Sequence, residues 1–122
     1  MATIFVIDDS TTMLMSLTRI LTRSGYAVET AANGKEGMDK LHSGMKPSLI
    51  LTDVHMPIMD GIAFIREARK WAATRFTPIV VLTTESLTAK QSEARAAGAS
   101  GWLTKPTPPE DLLATLKQML PA

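Results

Sequence analysis

A chain of 122 residues, 45% hydrophobic and 20% charged, has the size and composition of one globular domain and excludes a disordered segment. A formal charge of +1 gives the whole chain no electrostatic hold on nucleic acid or an anionic membrane, and the lack of cysteine excludes disulfides and thiolate metal sites. No charged n-region precedes the apolar start and no run nears the roughly 18 apolar residues of a membrane span, so a soluble, cytoplasmic protein is expected.

The first predicted element is a strand at 3–8, Thr-Ile-Phe-Val-Ile-Asp. A helix follows, because Met13, Leu14, Leu17, Ile20 and Leu21 form an amphipathic stripe that Ser10 or Thr11 can cap and Gly25 can end. The second strand, 26–31, alternates apolar and polar residues as an edge strand does, and a weaker helix at 35–43 carries Met38 and Leu41. A strand at 47–53 leads to a helix at 62–71 with Ile62, Ile65, Ala68 and Trp71 inward. A strand at 78–84, an Ala-rich helix at 87–97 and a strand at 101–105 come next. The last helix, 110–120, follows Thr107 and two prolines and buries Leu112, Leu113, Leu116, Met119 and Leu120. The first, third and fourth strands are nearly continuous apolar runs, as central parallel strands are. Five strand–helix alternations predict an α/β fold: a doubly wound, five-stranded parallel sheet with helices on both faces. Residues 1–122 read as a single domain, with no repeat, linker or second unit.

The polar residues collect where the strands end. The first strand ends at Asp8 and Asp9, the third at Asp53, the fourth at Thr83 and the fifth at Lys105. Open α/β sheets bind ligands beyond the carboxyl ends of their strands, at the switch point in strand order. In the order 2-1-3-4-5 that point lies between strands 1 and 3, the two that deliver aspartates. Two carboxylates ~4 Å apart repel by about 4 kcal/mol at an effective dielectric near 20, against a total domain stability of roughly 5–15 kcal/mol. Three converging aspartates therefore need a cation beyond one lysine, and an all-oxygen ligand set favours a hard ion such as Mg²⁺. Taken singly, Asp8 or Asp9 could simply cap a helix and Asp53 could serve a turn before Pro57. Five such residues at successive strand ends argue for a site.

The set Val-Ile-Asp-Asp-Ser (6–10), Leu-Thr-Asp-Val-His-Met-Pro-Ile-Met-Asp-Gly (51–61), Val-Val-Leu-Thr-Thr-Glu-Ser (80–86) and Gly-Trp-Leu-Thr-Lys-Pro (101–106) closely resembles the receiver domain of two-component response regulators, the single-domain CheY-like kind. The resemblance runs from Thr3 to Leu120. It implies a flavodoxin-like (βα)5 fold, with Asp53 taking a phosphoryl group from a phosphohistidine of a sensor kinase. It implies Mg²⁺, or Mn²⁺ in its place, on Asp8, Asp9, Asp53 and the backbone carbonyl of His55. Thr83 and Lys105 would contact phosphoryl oxygens, Thr83 and Trp102 would act as the switch, and Lys105–Pro106 would be a cis peptide. The implied protein is no enzyme in the usual sense but a phosphoacceptor that catalyses its own phosphorylation and dephosphorylation. Its signal would leave through helix 87–97, strand 101–105 and helix 110–120, toward a target such as the flagellar motor switch in chemotaxis, with a phosphatase as a further partner.

Three positions depart from the family pattern. Trp102 stands where tyrosine or phenylalanine is commoner, Thr84 where a small residue usually lies, and His55 two places after the acceptor. All three bear on rates rather than on the site's identity. His42 reads as solvated, the eight methionines as core filler, and Arg66, Arg69, Lys70 and Arg75 as a solvated basic helix face with no nucleic-acid role. Three rival readings exist. A haloacid-dehalogenase-type phosphatase needs an Asp-x-Asp that 53–55 lacks, while Asp8 and Asp9, being adjacent, should point to opposite sides. A flavin carrier needs a phosphate-cradling loop where this chain has two acids. The third rival is a receiver-like interaction module that is never phosphorylated.

Overall fold

The computed structural model describes residues 1–120; Pro121 and Ala122 lie outside the described residues. In chain order the elements are β1 (Thr3–Ile7), α1 (Thr11–Arg23), β2 (Ala27–Ala31), α2 (Gly34–His42), β3 (Leu49–Thr52), α3 (Gly61–Lys70), a 3-10 turn (Ala72–Thr74), β4 (Ile79–Thr83), α4 (Thr88–Ala97), β5 (Gly101–Thr104) and α5 (Pro109–Met119). All strand pairs are parallel, as the alternation predicts, and the sheet order is β2-β1-β3-β4-β5, with the three continuous apolar runs central. The strands are one to three residues shorter than their predicted runs, and Asp8, Asp53 and Lys105 stand in the loops just beyond β1, β3 and β5.

Each face of the sheet has its own core. Phe5, Ile7, Ile50, Ile79 and Val81 pack under α2, α3 and α4, with Phe64 and Ile65 as the large helical contributors. Ile4, Val6, Leu49, Leu51, Val80 and Leu82 pack under α1 and α5, meeting Leu17, Leu21, Leu112 and Leu116. Residues one apart along each central strand thus feed opposite cores, which is why their runs are apolar throughout.

The helices start where side chains satisfy their free N–H groups. Ser10 accepts from the Met13 N–H (3.2 Å), Asn33 from Glu36 (2.9 Å) and Asp60 from Ala63 (2.8 Å). The Glu36 carboxylate reaches back to the Ala32 N–H at 3.3 Å, closing a reciprocal cap at the start of α2. α4 has no side-chain cap and ends at Gly98, whose φ of +119° suits glycine.

Two sequence expectations fail at the far end of α3. Trp71 continues the apolar spacing, yet its backbone is extended at φ −83°, ψ 124°. It ends the helix, and its ring stands edge-on to the exposed His42 ring at 4.6 Å between centroids. Arg69 is not solvated either. Its guanidinium is half-buried and donates to the carbonyls of Gly98 (2.9 Å), Thr74 (2.9 Å), Arg75 (3.2 Å) and Thr77 (2.7 Å). Arg69 thereby joins the α3–β4 and α4–β5 loops, and burial pulls its pKa down from the ordinary arginine range.

The loop between β3 and α3 holds an unusual turn. Ile58 has a φ of +71°, and the Met59 N–H donates to the Pro57 carbonyl at 2.7 Å, forming a γ-turn. A β-branched residue pays for that dihedral with steric strain, while the Ile58 side chain is 78% exposed and gains little burial. Ile58→Gly is therefore expected to stabilise the fold by about 1 kcal/mol, read as a higher urea midpoint at unchanged m-value. A lower midpoint would show that Ile58 is not strained.

Candidate functional site

The register of the sheet builds the site. Ile7 pairs with Thr52 on β3 and with Ala31 on β2, so β1 and β3 end level with each other. The backbone carries this alignment one residue further: the Asp53 N–H donates to the Ile7 carbonyl (3.0 Å) and the Asp8 N–H to the Ala31 carbonyl (3.1 Å). β4 and β5 end level at Thr83 and Thr104, and the Lys105 N–H donates to the Thr83 carbonyl at 2.7 Å.

Asp8, Asp9 and Asp53 each place one carboxylate oxygen within 4.8 Å of the others. Strand alternation would have sent Asp8 and Asp9 to opposite sides, but β1 ends at Ile7 and neither residue is bound by the pleat. Asp8 is buried, Asp9 exposed and Asp53 between the two. Asp8 also accepts from the Ser10 N–H (2.9 Å) and Asp53 from the Val54 N–H (2.7 Å). Lys105 reaches both from β5: its Nζ lies 2.7 Å from Asp8 Oδ2 and 3.2 Å from Asp53 Oδ2. Burial works against the ammonium charge, yet the hydrogen bond to Asp8 and the charges of Asp53 and Asp8 together outweigh it and raise the Lys105 pKa. One lysine cannot neutralise three carboxylates. This all-oxygen, net-negative cluster fits a hard divalent cation such as Mg²⁺.

Two loops flank the aspartates. In the first, Val54 and Met56 anchor in the core while His55 faces solvent. The loop is pinned at its far end, where the Gly61 N–H donates to the Val54 carbonyl at 2.8 Å. A Cβ on Gly61 would stand 1.9 Å from the Asp53 carbonyl oxygen, so only glycine lets α3 start this close to Asp53. In the second loop, the Glu85 N–H donates to Thr83 Oγ1 (3.2 Å), and the Glu85 carboxylate accepts from the N–H groups of Ser86 (3.1 Å) and Leu87 (3.2 Å). His55 Nε2 and Glu85 Oε1 meet at 3.0 Å and join the two loops. The bond to His55, with the Leu87 N–H behind it, holds the Glu85 pKa below the usual carboxylate value.

The remaining sequence candidates fall as follows. Thr83 is fully buried and Thr84 exposed. Lys105–Pro106 is cis. Trp102 is half-buried against the core under α2, α3 and α4, and its indole Nε1 is buried with no hydrogen-bond partner among the described residues. Sequence reasoning passed over Gly61 and Glu85. Glycine alone lacks a Cβ, so its presence straight after the Asp60 cap was the available signal for a close backbone approach. Glu85 offered none, since its partners are mostly backbone N–H groups.

Known proteins resemble this chain in sequence and fold. The sequence is 35% identical over 120 residues to Protein PilH of Pseudomonas aeruginosa, covering 98% of each chain. The fold superposes on the Vibrio cholerae chemotaxis protein CheY4 with a TM-score of 0.93 at 42% identity, covering 98% of this chain and 99% of that one. It also matches the receiver domain of sensor histidine kinase PA1611 from P. aeruginosa, described with a magnesium ion coordinated in its active site cleft, with a TM-score of 0.88 at 25% identity and 97% and 96% coverage. Residues 4–117 match the family model of the response regulator receiver domain, and with the β2-β1-β3-β4-β5 sheet and its acidic edge this places the chain in that family, as a CheY-like receiver of two-component signalling.

Proposed function

We propose that Asp53 is the phosphoacceptor of this receiver and that Asp8, Asp9, Asp53 and the His55 carbonyl hold Mg²⁺. The carrying observation is the Lys105 ammonium shared between Asp8 and Asp53 at 2.7 and 3.2 Å, which puts a fixed positive charge beside the carboxylate that would react. When bound, the metal would supply further positive charge for the phosphoryl oxygens; Mn²⁺, another oxygen-preferring ion, could replace it. An Asp53 carboxylate oxygen attacks phosphorus, the bond to the kinase histidine nitrogen breaks, and its electron pair stays with the imidazole. Lys105 and the Thr83 hydroxyl stabilise the charge on the transferred group's oxygens, a task of positioning and electrostatics. Water later attacks the phosphorus of the acyl phosphate, the P–O bond to Asp53 breaks, and inorganic phosphate leaves with the Asp53 carboxylate restored. The protein is thus a switch that catalyses its own modification, not an enzyme acting on a separate substrate.

The His55–Glu85 bond ties together the two loops beside Asp53, so it is well placed to set how readily attacking water enters. For the signal itself, added charge at Asp53 draws in the Thr83 hydroxyl and Lys105, and Trp102 responds from β5. The likeness to the chemotaxis protein CheY4 supports a chemotaxis-type pathway: a sensor histidine kinase as donor, the flagellar motor switch as target through α4, β5 and α5, and a phosphatase for resetting.

Acetyl phosphate with Mg²⁺ is expected to add one phosphoryl group to the intact mass, and Asp53→Asn is expected to add none. Labelling of Asp53→Asn at the wild-type level would move the acceptor elsewhere. No labelling of the wild type, with Mg²⁺ binding shown separately, would favour the interaction module that is never phosphorylated.

A further inference from the structure

The edge of the sheet remote from Asp53 has a chemistry of its own. Its four connecting loops, 24–26, 43–48, 71–78 and 98–100, contain no Asp or Glu. Basic residues occupy the last turn of every helix that ends there, Arg23, Lys40, Arg69, Lys70, Arg95 and Lys117, although Lys40 turns back toward Glu36 and the Thr30 carbonyl and Lys70 lies 3.5 Å from Glu67. Lys46 and Arg75 add two more cations in the loops. All five helices point their C-termini this way, so each basic last turn also answers a helix dipole. The molecule is nearly neutral overall, yet its carboxylate cluster lies at the Asp53 edge, whereas the loops of this edge carry only the cations Lys46 and Arg75.

Within this edge lies a groove of about 500 Å³, its apolar lining from Pro47, Ala72, Ala73, Phe76, Pro78 and Leu120 interrupted by Ser48 and Thr77. Phe76 is 89% exposed, although it is the largest side chain of the group. The Arg75 guanidinium stands 5.9 Å from its ring centroid, and Lys46 directly precedes the groove residue Pro47. Water gains nothing from an exposed phenyl ring at a groove mouth, whereas a partner that covers it does.

We infer that this groove docks an acidic protein segment bearing an apolar anchor. The anchor would enter between Pro47, Ala72 and Phe76, while flanking carboxylates meet Arg75 and Lys46. Charge complementarity selects an acidic occupant over a basic one. The mostly aliphatic lining, with only Phe76 available for stacking, favours a protein segment over a nucleic acid, which would need aromatic platforms and a continuous phosphate track. A receiver docked by this edge leaves the Asp53 edge open to its kinase, so tethering and phosphorylation need not compete.

The test uses the full-length protein, ¹⁵N-labelled, titrated with a synthetic peptide of two leucines and a phenylalanine flanked by aspartates and glutamates. Amide shift changes are expected to concentrate at Ser48, Ala73, Phe76 and Thr77, and to weaken at least threefold between low and 0.3 M salt. Phe76→Ala and Arg75→Glu are each expected to weaken binding at least fivefold, with acetyl phosphate labelling of Asp53 unchanged. A peptide with lysines in place of the acids should not bind. The inference is overturned by any of three results: no shifts at these residues at millimolar peptide, equal binding of the basic peptide, or tighter binding of anionic vesicles or a single-stranded oligonucleotide to the same residues. Because the readout is independent of phosphorylation, its failure and failure of the proposed phosphoacceptor remain distinguishable.

Discussion

Gly61→Ala is expected to cost about 3 kcal/mol or more of stability, near the upper end for a single added methyl group. The contact in question is 1.9 Å to the Asp53 carbonyl oxygen, with Val54 Cα only 3.0 Å away, and neither atom is the yielding end of a flexible side chain. The start of α3 must back away, which breaks the hydrogen bond from the Gly61 N–H to Val54 and turns the Asp53 peptide. Phosphoryl uptake from acetyl phosphate should fall with stability, since the same movement displaces Asp53, the proposed acceptor. Gly44→Ala is the control: Gly44 has a φ of +106° and open space around it, so alanine there incurs only the left-handed backbone penalty of roughly 1–2 kcal/mol. Urea melts of the two variants decide the matter. Equal losses would mean that backbone dihedrals, not the close approach, dominate at Gly61.

Lys105→Met should produce the second large effect, a loss of about 3 kcal/mol in metal-free buffer at neutral pH. The lysine, Asp8 and Asp53 side chains are 12%, 4% and 13% exposed, so removing the cation leaves two barely solvated carboxylates facing each other without their counterion. Breaking a fully buried pair costs roughly 3–5 kcal/mol, and this one opens to solvent at Asp9, which puts it at the lower end. Magnesium should then stabilise the variant more than the wild type. A wild-type melting temperature raised by roughly 10 °C at a hundredfold excess over Kd corresponds to ~2.7 kcal/mol. Asp9→Ala should remove the rise in both backgrounds. An identical response to Mg²⁺ in wild type and Lys105→Met would show that the lysine and the metal do not share the aspartates.

The pH dependence of the same pair has a definite sign. The folded-state pKa of Lys105 is raised, so its contribution is complete below the unfolded lysine value of about 10.4 and is lost as pH climbs through the folded value. Alkaline melts should therefore bring wild type and Lys105→Met together above that range, while leaving them apart at pH 7.

The fold could be read from the chain because five apolar runs and four of five helical stripes carry their own periodicity. The acidic site could be read because parallel strands bring residues distant in sequence to one edge once the strand order is assumed. What stayed hidden depends on the backbone. Arg69 has the sequence signature of a solvated arginine, and its partners are carbonyls, which leave no mark in side-chain patterning. Trp71 kept the helical spacing after the helix had ended. Ile58 stands at a positive φ that its side chain argues against. Asp9 is expected in the cluster, but the expectation that it points away from Asp8 fails because β1 stops at Ile7.

Arg69 gives the sheet a fulcrum. By holding the carbonyls of Thr77 just before β4 and Gly98 just before β5, it fixes one end of the two strands that carry Thr83 and Lys105 at the other. A lever clamped at its base and loaded at its tip turns a small pull into a directed swing, not a rigid slide of the whole strand. Trp102 sits one residue above the clamped end of β5, so its ring needs to rotate rather than travel. If Thr83 and Lys105 act on the phosphoryl group as proposed, loosening the clamp would let the tip's pull dissipate as motion of the base, and the response at Trp102 would weaken with both residues still in place.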